Sequence, residues 1–319
     1  MKINLDELVD LCKKVMKKSG MDDKTIELVL EEYLDGELRG TDSHGIALIK
    51  KFGVGKVESE PWVIETDEEN YMLVDGKTNY GQVVLDEIFP KLLEKTKKHK
   101  IAMLGIHNMT SYSRPGTYAR KAAEAGLIGI ITNYSGRPRV APFGTIDPIL
   151  GTNPIAFGIP GDPDIVLDMA TSKRNFAKVR VSQRLGNDLP EGMAMDKNGV
   201  PTIDPEKAME GALYPFGGYK GSGLCLVLDI LTRCMFNIKW EPGKVARGFF
   251  FILIDPTAFG DLEVFRRNVA ELEQEIKTAR KSGEVEIPGE RGEARKEKIL
   301  EQGWIEIDDK IIEELRAML

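Results

Sequence analysis

The sequence predicts a mixed α/β protein in which helical segments from both ends of the chain surround a strand-rich centre. Three observations lead to this prediction. Apolar residues in the first 40 positions recur at the helical period, and short apolar runs bounded by Gly, Pro and Asp fill the middle. Helical periodicity then returns after Pro256. The 319 residues are enough for one large domain or two smaller ones.

Two helices are predicted before residue 40. The apolar stripe of the first helix stops at Gly20. Asp22 or Asp23 can cap the second helix, whose stripe starts at Ile26 and which ends near Gly40.

Six short apolar runs in the middle of the chain are typical of strands: YMLVDG, IAMLGI, LIGIIT, PIAFGIPG, DIVLDMA and FFFILIDP. Helices are predicted between some of them, at Leu85–His99 and Thr117–Ala125. The spacing of the runs is irregular, so the sequence does not predict a repeated βαβ series.

The C-terminal part of the chain is predicted to be helical again. Three helices are expected there: Leu262–Ser282, Gly292–Gln302 and Asp309–Met318. We therefore expect a discontinuous helical domain of residues 1–74 and 258–319 around an α/β domain of residues 75–257.

Composition and charge exclude several classes of protein. A formal net charge of −7 argues against general nucleic-acid binding. The sequence has no apolar run of about 18 residues and starts with an acidic amphipathic segment, so we expect neither a membrane span nor a secretory signal. Three scattered cysteines are too few for a disulfide framework or a zinc site. A cytoplasmic protein without a metal is the expectation.

The stretch RGTDSHGI places an acid, a hydroxyl and an imidazole side by side just beyond the second helix. An imidazole titrates near neutrality, so His44 is a candidate for proton transfer to a substrate oxygen. The negative end of the helix dipole would favour its protonated form. In the alternative interpretation, Asp42 and Ser43 only satisfy turn backbone and His44 is an exposed helix-end residue.

Glycine-rich and hydroxyl-rich segments mark two further candidate sites. GGYKGSG, residues 217–223, opens an apolar helix, so its backbone N–H groups and Lys220 can approach an anion. LDMATSKR ends a strand with hydroxyls and two cations, which are typical of phosphate or ribose binding. Each segment has a purely structural alternative: a tight turn with close helix packing for the first, a capped turn with solvated cations for the second.

Taken together, these motifs resemble the type-2 malate/L-lactate dehydrogenase family, whose relatives include sulfolactate and ureidoglycolate dehydrogenases, diketogulonate reductase and cyclic-imine reductase. The matching stretches follow the family order from about residue 5 to 315: LRGTDSHGI, DGKTNYGQVV, AAEAGLIGI, LGTNPIAFGIPG, DMATS, FGGYKGSGL, FFILIDPTAFGD and EIPGERGEARKEKILEQG. The resemblance implies a non-Rossmann fold with a mixed, largely antiparallel sheet, which is consistent with the absence of GxGxxG.

The resemblance also implies a site and a cofactor. NADH or NADPH would bind between the domains, near the interface of a homodimer, and His44 would match the family's acid/base histidine. Ten residues match its cofactor-binding segments: Asp168, Met169, Ala170, Thr171, Ser172, Lys220, Gly221, Pro288, Gly289 and Glu290.

The chain departs from the family pattern at the substrate pocket. Leu48 stands where the family usually carries an arginine that holds the substrate carboxylate, and Phe52 replaces a tyrosine. A second pocket histidine corresponds to Ser111. Losing an arginine clamp removes charge-assisted hydrogen bonds worth about 1.5–3 kcal/mol each. Three arginines are candidates to replace it: Arg114, Arg137 and Arg139, with a surface position as the alternative for each.

The sequence therefore predicts an NAD(P)-dependent oxidoreductase that moves hydride between nicotinamide and C2 of a small 2-hydroxy or 2-oxo acid. His44 would exchange the proton, with Ser43 as a second participant and Asp196 as a possible orienting carboxylate. Two alternatives stay open at this point: reduction of a cyclic imine or ureido acid, and nicotinamide binding without turnover. Lys173 and Arg174 could contact the 2′-phosphate of NADPH or be solvated.

Overall fold

The computed structural model of the chain describes residues 1–54, 60–241 and 247–319, and it describes residues 51–54 by their backbone only. Its helices are α1 (Leu5–Lys18), α2 (Asp23–Leu38), α3 (Gly81–His99), α4 (Pro115–Glu124), α5 (Phe176–Leu185), α6 (Pro205–Glu210), α7 (Tyr219–Asp229), α8 (Leu262–Thr278), α9 (Glu290–Gln302) and α10 (Asp309–Ala317). Its strands are β1 (Lys2–Asn4), β2 (Val63–Asp67), β3 (Tyr71–Asp75), β4 (Ile101–His107), β5 (Ile128–Asn133), β6 (Ile155–Ile159), β7 (Ile165–Met169), β8 (Ala194–Met195), β9 (Pro201–Thr202), β10 (Ala212–Leu213), β11 (Gly248–Ile254) and β12 (Trp304–Glu306).

The two ends of the chain share one helical core. The side chain of Asn4 caps α1 and that of Asp22 caps α2 by accepting hydrogen bonds from backbone N–H groups of the first turn. Strands β1 and β12 pair in antiparallel fashion and tie the termini together. The apolar faces of α1, α2 and α10 share one core, whose fully buried members include Leu8, Cys12, Val29, Ile46, Ile49 and Ile312.

The central sheet has seven strands in the order β2-β3-β4-β11-β5-β6-β7. Strands β3 and β4 run parallel, and every other neighbouring pair is antiparallel. The mixed, largely antiparallel sheet is thus confirmed, and all six predicted apolar runs form strands of it. Helices α3 and α4 cover one face and enclose a second core, which contains Leu104, Ile131, Phe249 and Phe251.

The boundary expected at residue 74 does not match the sheet. Strands β2 and β3 lie on the predicted helical side of that boundary, yet they form hydrogen-bonded members of the central sheet. The apolar run YMLVDG forms β3, which pairs with β4 because this pairing buries the apolar face of β3 under α3. Strand β2 pairs with β3 and is thereby part of the same sheet. The core of the helical unit accordingly draws its N-terminal residues from positions 3–49.

A small third layer follows the central sheet. Short strands β10, β8 and β9 form a three-stranded sheet, which α5 and α6 join around a third core that contains Val179, Leu189 and Leu213. These short elements are not evident from the sequence, because two-residue strands carry too few residues to show a period. Within the described ranges, no helix combines the length and apolar character that crossing a bilayer requires.

Candidate active site

His44 lies in a tight turn that is packed against the end of α2. The chain leaves α2 through Thr41, whose N–H and Oγ1 both donate to the carbonyl of Gly36 at 2.8 Å. The N–H of His44 then donates to the carbonyl of Thr41 at 2.8 Å, which closes one turn of 3₁₀ helix. A Cβ atom on Gly36 would lie 2.8 Å from the carbonyl oxygen of His44, so this close approach requires glycine.

The imidazole of His44 is oriented by its neighbour. Ser43 Oγ lies 3.0 Å from His44 Nδ1, and both side chains are half-buried. A hydrogen bond to Nδ1 restricts the ring orientation and the tautomer, which general acid–base chemistry requires. The arrangement is therefore chemically suited to proton exchange with a bound substrate.

A buried carboxyl group holds the far side of the same turn. Glu37 Oε2 accepts a hydrogen bond from the N–H of Ile46 at 3.0 Å. A Cβ atom on Gly45 would lie only 2.0 Å from that oxygen, so a larger residue there would displace the Glu37 carboxylate. Burial, and then the nearby Asp42, raise the pKa of Glu37 to about 7 from its ordinary 4.5.

We expect Glu37→Gln to flatten part of the pH dependence of stability. Between pH 4.5 and 7 the unfolded chain releases the Glu37 proton while the folded chain keeps it, so the free energy of unfolding falls as pH rises through this window. Glutamine has no such proton and can still accept from Ile46. As the pH is raised from about 5 to about 7.5, the free energy of unfolding of the variant, measured in urea, should therefore rise relative to that of wild type. Glu27→Gln, on the exposed face of α2, is the control. A wild-type-to-variant difference that is the same at both pH values would contradict this account.

The loop of residues 111–117 joins the His44 turn to the central sheet. Ser113 Oγ donates to the carbonyl of His44 at 3.3 Å, and the N–H of Gly116 donates to Asp168 Oδ2 at 3.1 Å. Ser111 is half-buried in this loop, where its Oγ accepts from the N–H of Ser113. The structure thus brings the predicted histidine turn, the predicted Ser111 and the DMATS segment into one assembly.

The interpretation of Arg114 as a substrate clamp is corrected by its surroundings. Arg114 is 6% exposed and donates from Nε to Glu32 and from Nη2 to Asp35, at 3.1 and 2.8 Å. It also donates to Thr41 Oγ1 and Thr117 Oγ1 at 3.2 and 3.1 Å. A guanidinium offers five N–H donors, and four of them are used inside the protein. Arg114 is therefore a structural link between α2, α4 and the His44 turn.

The DMATS segment is connected to two other sequence motifs through Thr171. This residue is fully buried, its Oγ1 donates to the carbonyls of Thr152 and Asn153 at 3.0 and 3.1 Å, and its carbonyl accepts from the N–H of Phe216. It therefore holds LGTNP on one side and the start of GGYKGSG on the other. Ser172 Oγ donates to the carbonyl of Arg174 at 2.7 Å and shapes the following turn.

Asp168 lies at the end of β7, with Met169 and Ala170 half-buried behind it. Its carboxylate keeps contact with solvent, yet the surrounding protein raises its pKa to about 6 from 3.8. The hydrogen bond from Gly116 works in the opposite direction. Asp168 therefore connects the end of β7 to the start of α4.

The glycines of GGYKGSG have separate roles. Gly217 and Gly218 adopt positive φ angles of 56° and 63° before α7 begins. A Cβ atom on Gly221 would lie 1.8 Å from the carbonyl oxygen of Phe216, so this glycine permits close packing. Lys220 is exposed in the first turn of α7. Close packing therefore explains the glycine at 221, while the Lys220 side chain is exposed to solvent.

The PGE segment docks on the edge of the central sheet. The carbonyl of Pro288 accepts from the N–H of Val166 in β7 at 3.1 Å, and Gly289 has a φ of 103°. The Glu290 carboxylate binds Lys277 and accepts from the N–H of Ile287, and the hydrogen bond from Lys277 lowers the pKa of Glu290. These bonds place PGE beside DMATS, although they leave Glu290 with an evident structural role.

Two further expectations concern the pocket around His44. Leu48 packs against the core of the helical unit, which explains an apolar residue there, while the side chain of Phe52 lies outside the described residues. Asp196 Oδ1 accepts from the N–H groups of Asn198 and Val200 at 2.8 and 3.0 Å. These bonds lower the pKa of Asp196 and make it the closing residue of the turn between β8 and β9, a different role from the expected orientation of His44.

Cationic side chains gather near the His44 turn. Helix α5 packs against that turn. Phe176 is the first residue of α5. Two guanidinium groups form cation–π contacts with its ring, that of Arg139 at 3.8 Å and that of Arg180 at 5.4 Å from the ring centroid. Burial and then the charges of Arg180 and Arg137 lower the pKa of Arg139. Arg180 was missed because its sequence neighbourhood is that of an ordinary charged helix.

Arg247 is another functional candidate that the sequence did not indicate. It precedes β11 directly, and burial lowers its pKa, with Arg137 contributing in the same direction. A cation immediately before a buried strand can indicate a binding residue. The sequence alone does not distinguish such a residue from an ordinary surface cation, because its neighbours come from other segments of the chain.

Comparison with known proteins supports one family. The model of the family described as malate/L-lactate dehydrogenase matches residues 3–316. Malate/(S)-sulfolactate dehydrogenase of Methanothermus fervidus is 34% identical over 331 residues, which cover 99% of this chain and 96% of that protein. The Δ1-pyrroline-2-carboxylate/Δ1-piperideine-2-carboxylate reductase of Pseudomonas putida is 29% identical, with 100% and 97% covered. The solved malate dehydrogenase of Pyrococcus horikoshii superposes with a TM-score of 0.87 at 32% identity, with 100% and 94% covered.

The fold and these relatives define an oxidoreductase. The chain belongs to the malate/L-lactate dehydrogenase family, so the resemblance read from its motifs is confirmed.

Proposed function

We propose that this protein catalyses NAD(P)-dependent, reversible hydride transfer between nicotinamide and C2 of a small 2-hydroxy or 2-oxo acid, with His44 as the proton donor and acceptor. One observation carries the proposal. Ser113 binds the carbonyl of His44 and Gly116 binds the carboxylate of Asp168, so one short segment, residues 113–116, ties the proposed proton-transfer turn to the DMATS segment.

Each part of the turn contributes to the proton transfer. In the reductive direction His44 would give a proton to the oxygen on C2, and in the oxidative direction it would take that proton back. Ser43 orients the ring through Nδ1, and the bonds of Thr41 and Glu37 hold the backbone of the turn in place. Such fixed geometry reduces the reorganisation that the reaction requires.

The strand-end segments fit a dinucleotide. Arg174 Nε is buried and has no hydrogen-bond partner within the part of the chain that the structure describes, which favours an anionic ligand beside DMATS. Residues of DMATS, Lys220 with Gly221, and the PGE segment would hold the cofactor, and Arg174 would meet a phosphate. When bound, the nicotinamide supplies or accepts the hydride.

The acid group of the substrate requires a cation, because Leu48 cannot bind a carboxylate. Arg137 and Arg139 support this role better than Arg114 does, since neither forms an ion pair within the described residues and both belong to the cluster beside α5. The relatives named above act on malate, sulfolactate and cyclic imino acids, which are all small acids with a reducible or oxidisable C2 position.

Oxidation of NADH and of NADPH across a panel of acceptors tests this proposal. The panel contains pyruvate, oxaloacetate, sulfopyruvate and Δ1-pyrroline-2-carboxylate. Turnover with a 2-oxo acid supports the proposal, turnover with the imine alone changes the acceptor class, and bound cofactor without turnover of any acceptor overturns catalysis. Comparison of KM between the two cofactors assigns the preferred one.

We further propose that the cytoplasmic enzyme is a homodimer. Helix α7 exposes Leu226 and Val227, each 51% accessible, and the adjoining turn exposes Ile230 at 48%. Contiguous apolar residues on a helix are typical of an interface. Sedimentation should give a dimer that Leu226→Asp weakens, while Leu272→Asp on α8, where Leu272 is 57% exposed, leaves it intact. A monomeric wild type would contradict this proposal.

A further inference from the structure

Four arginines from three separate segments of the chain lie near one another, and helix α5, which carries one of them, packs against the His44 turn. Arg137 and Arg139 belong to the loop after β5, Arg180 to α5, and Arg247 to the residue before β11. Two of them are exposed and two are half-buried. We name this set the arginine cluster.

Cation–π contacts with one aromatic ring and backbone hydrogen bonds stabilise part of the arginine cluster. Arg139 and Arg180 share the ring of Phe176, at 3.8 and 5.4 Å from its centroid. The backbone of Arg139 is fixed by its N–H, which donates to Leu150, and by its carbonyl, which accepts from Leu213. The guanidinium of Arg139 is therefore held in place before any ligand arrives.

The backbone next to Arg247 is hydrogen-bonded to the loop after β5. The carbonyl of Gly248, the next residue, accepts from the N–H of Tyr134 at 2.9 Å. Tyr134 directly precedes the segment that carries Arg137, and the charge of Arg137 contributes to the lowered pKa of Arg247. The loop after β5 thus links Arg247 to the arginines at 137 and 139.

Among the described residues, the arginine cluster is not paired with carboxylates. Within residues 1–54, 60–241 and 247–319, none of the four guanidinium groups forms an ion pair with a carboxylate. By contrast, Arg184 on the same helix α5 binds Asp308 at 3.0 Å. Like charges gathered without partners cost free energy in the free protein, and an anionic ligand recovers it.

We propose that the arginine cluster is an anion-binding surface that takes a second, non-reacting anionic group of the substrate and thereby selects doubly charged 2-oxo and 2-hydroxy acids. This inference rests on the proposed function for the reaction, but it assigns specificity to residues that no sequence motif indicates. Arg180 and Arg247 are the specificity-determining residues, because they add positive charges that bind the second anionic group, which a singly charged acid lacks. Helix α5, which carries Arg180, packs against the turn of His44. Arg247 is tied to the loop of Arg137 through the hydrogen bond between Tyr134 and Gly248.

The test compares succinate with butyrate, two four-carbon acids with two charges and one charge. Neither can be reduced at C2, so binding is measured apart from turnover, by calorimetry with and without saturating NADH or NADPH. We expect wild type to prefer succinate, and Arg180→Met and Arg247→Met to weaken succinate binding by about 10- to 100-fold with little effect on butyrate. Arg184→Met, on the same helix but outside the cluster, is the matched control.

Each other outcome contradicts the inference in a defined way. Equal affinity of wild type for both acids, or loss of affinity in the Arg184 control, would remove the selective role of the cluster. Variants that weaken NADPH binding and leave succinate binding unchanged would assign the arginines to the cofactor's phosphate. Tight succinate binding without turnover of any 2-oxo acid would keep the anion site and reject the proposed reaction.

Discussion

His44→Gln should lower kcat for reduction of a 2-oxo acid by about 10²- to 10⁴-fold, the usual contribution of a positioned proton donor. Glutamine keeps a polar side chain of similar reach but cannot deliver a proton at neutral pH. Cofactor affinity, measured from NADH or NADPH fluorescence, should change little, because the residues that we assign to the cofactor lie in other segments. The readout is steady-state kcat together with the cofactor Kd.

Two controls sharpen this result. His99→Gln makes the same substitution at the C-terminal end of α3, so its kcat should stay near the wild-type value. Ser43→Ala removes the 3.0 Å contact with Nδ1 and should lower kcat by about fivefold, the worth of one ordinary hydrogen bond. A His44→Gln variant that keeps most of the wild-type kcat would reject His44 as the proton-transfer residue.

The largest expected effect on stability comes from Arg114→Met. Removing one partner of a buried ion pair leaves the other without compensation, which costs about 3–5 kcal/mol. Here the abandoned partner is chiefly Glu32, which is 5% exposed, whereas Asp35 keeps Arg39 and Lys296. Urea unfolding at pH 8 gives the free energy of unfolding for comparison with wild type.

The pH dependence and a second variant test the cause. Burial raises the pKa of Glu32 to about 7 even with Arg114 beside it, so below this pH the abandoned side chain takes up a proton more readily. The loss of stability in Arg114→Met should therefore shrink from pH 8 to pH 5.5, and Glu32→Gln added to it should restore part of the loss. A stable Arg114→Met protein with a raised substrate KM would instead support the clamp role that the sequence suggested.

Local patterns in the sequence were enough to predict most of the fold. The helical period identifies α1 and α2, and the six apolar runs identify the long strands, because these signals need only a few neighbouring residues. The paired strands β2 and β3 were assigned to the wrong unit, since a domain boundary depends on which surface a strand covers. The small sheet of β8, β9 and β10 was missed for lack of length.

The residues proposed for proton transfer could also be chosen from local motifs, whereas the arrangement around them could not. RGTDSHGI contains the histidine, the serine that contacts it and Gly45, which the Glu37 carboxylate requires. Nothing local distinguishes Arg114, which is consumed by buried carboxylates, from Arg139, which shares a ring with Arg180 and has no ion-pair partner among the described residues. Both are single arginines in loops of the sequence.

The sequence by itself determined the family, the order of the long elements and the proton-transfer candidate, because each depends on residues close together in the chain. Only the tertiary structure decided which charges are neutralised and which remain for a ligand. Pairing of charges depends on distances between segments far apart in sequence, such as Arg114 with Glu32, 82 positions away. For the same reason, the convergence of Arg137, Arg139, Arg180 and Arg247 becomes visible only in the folded chain.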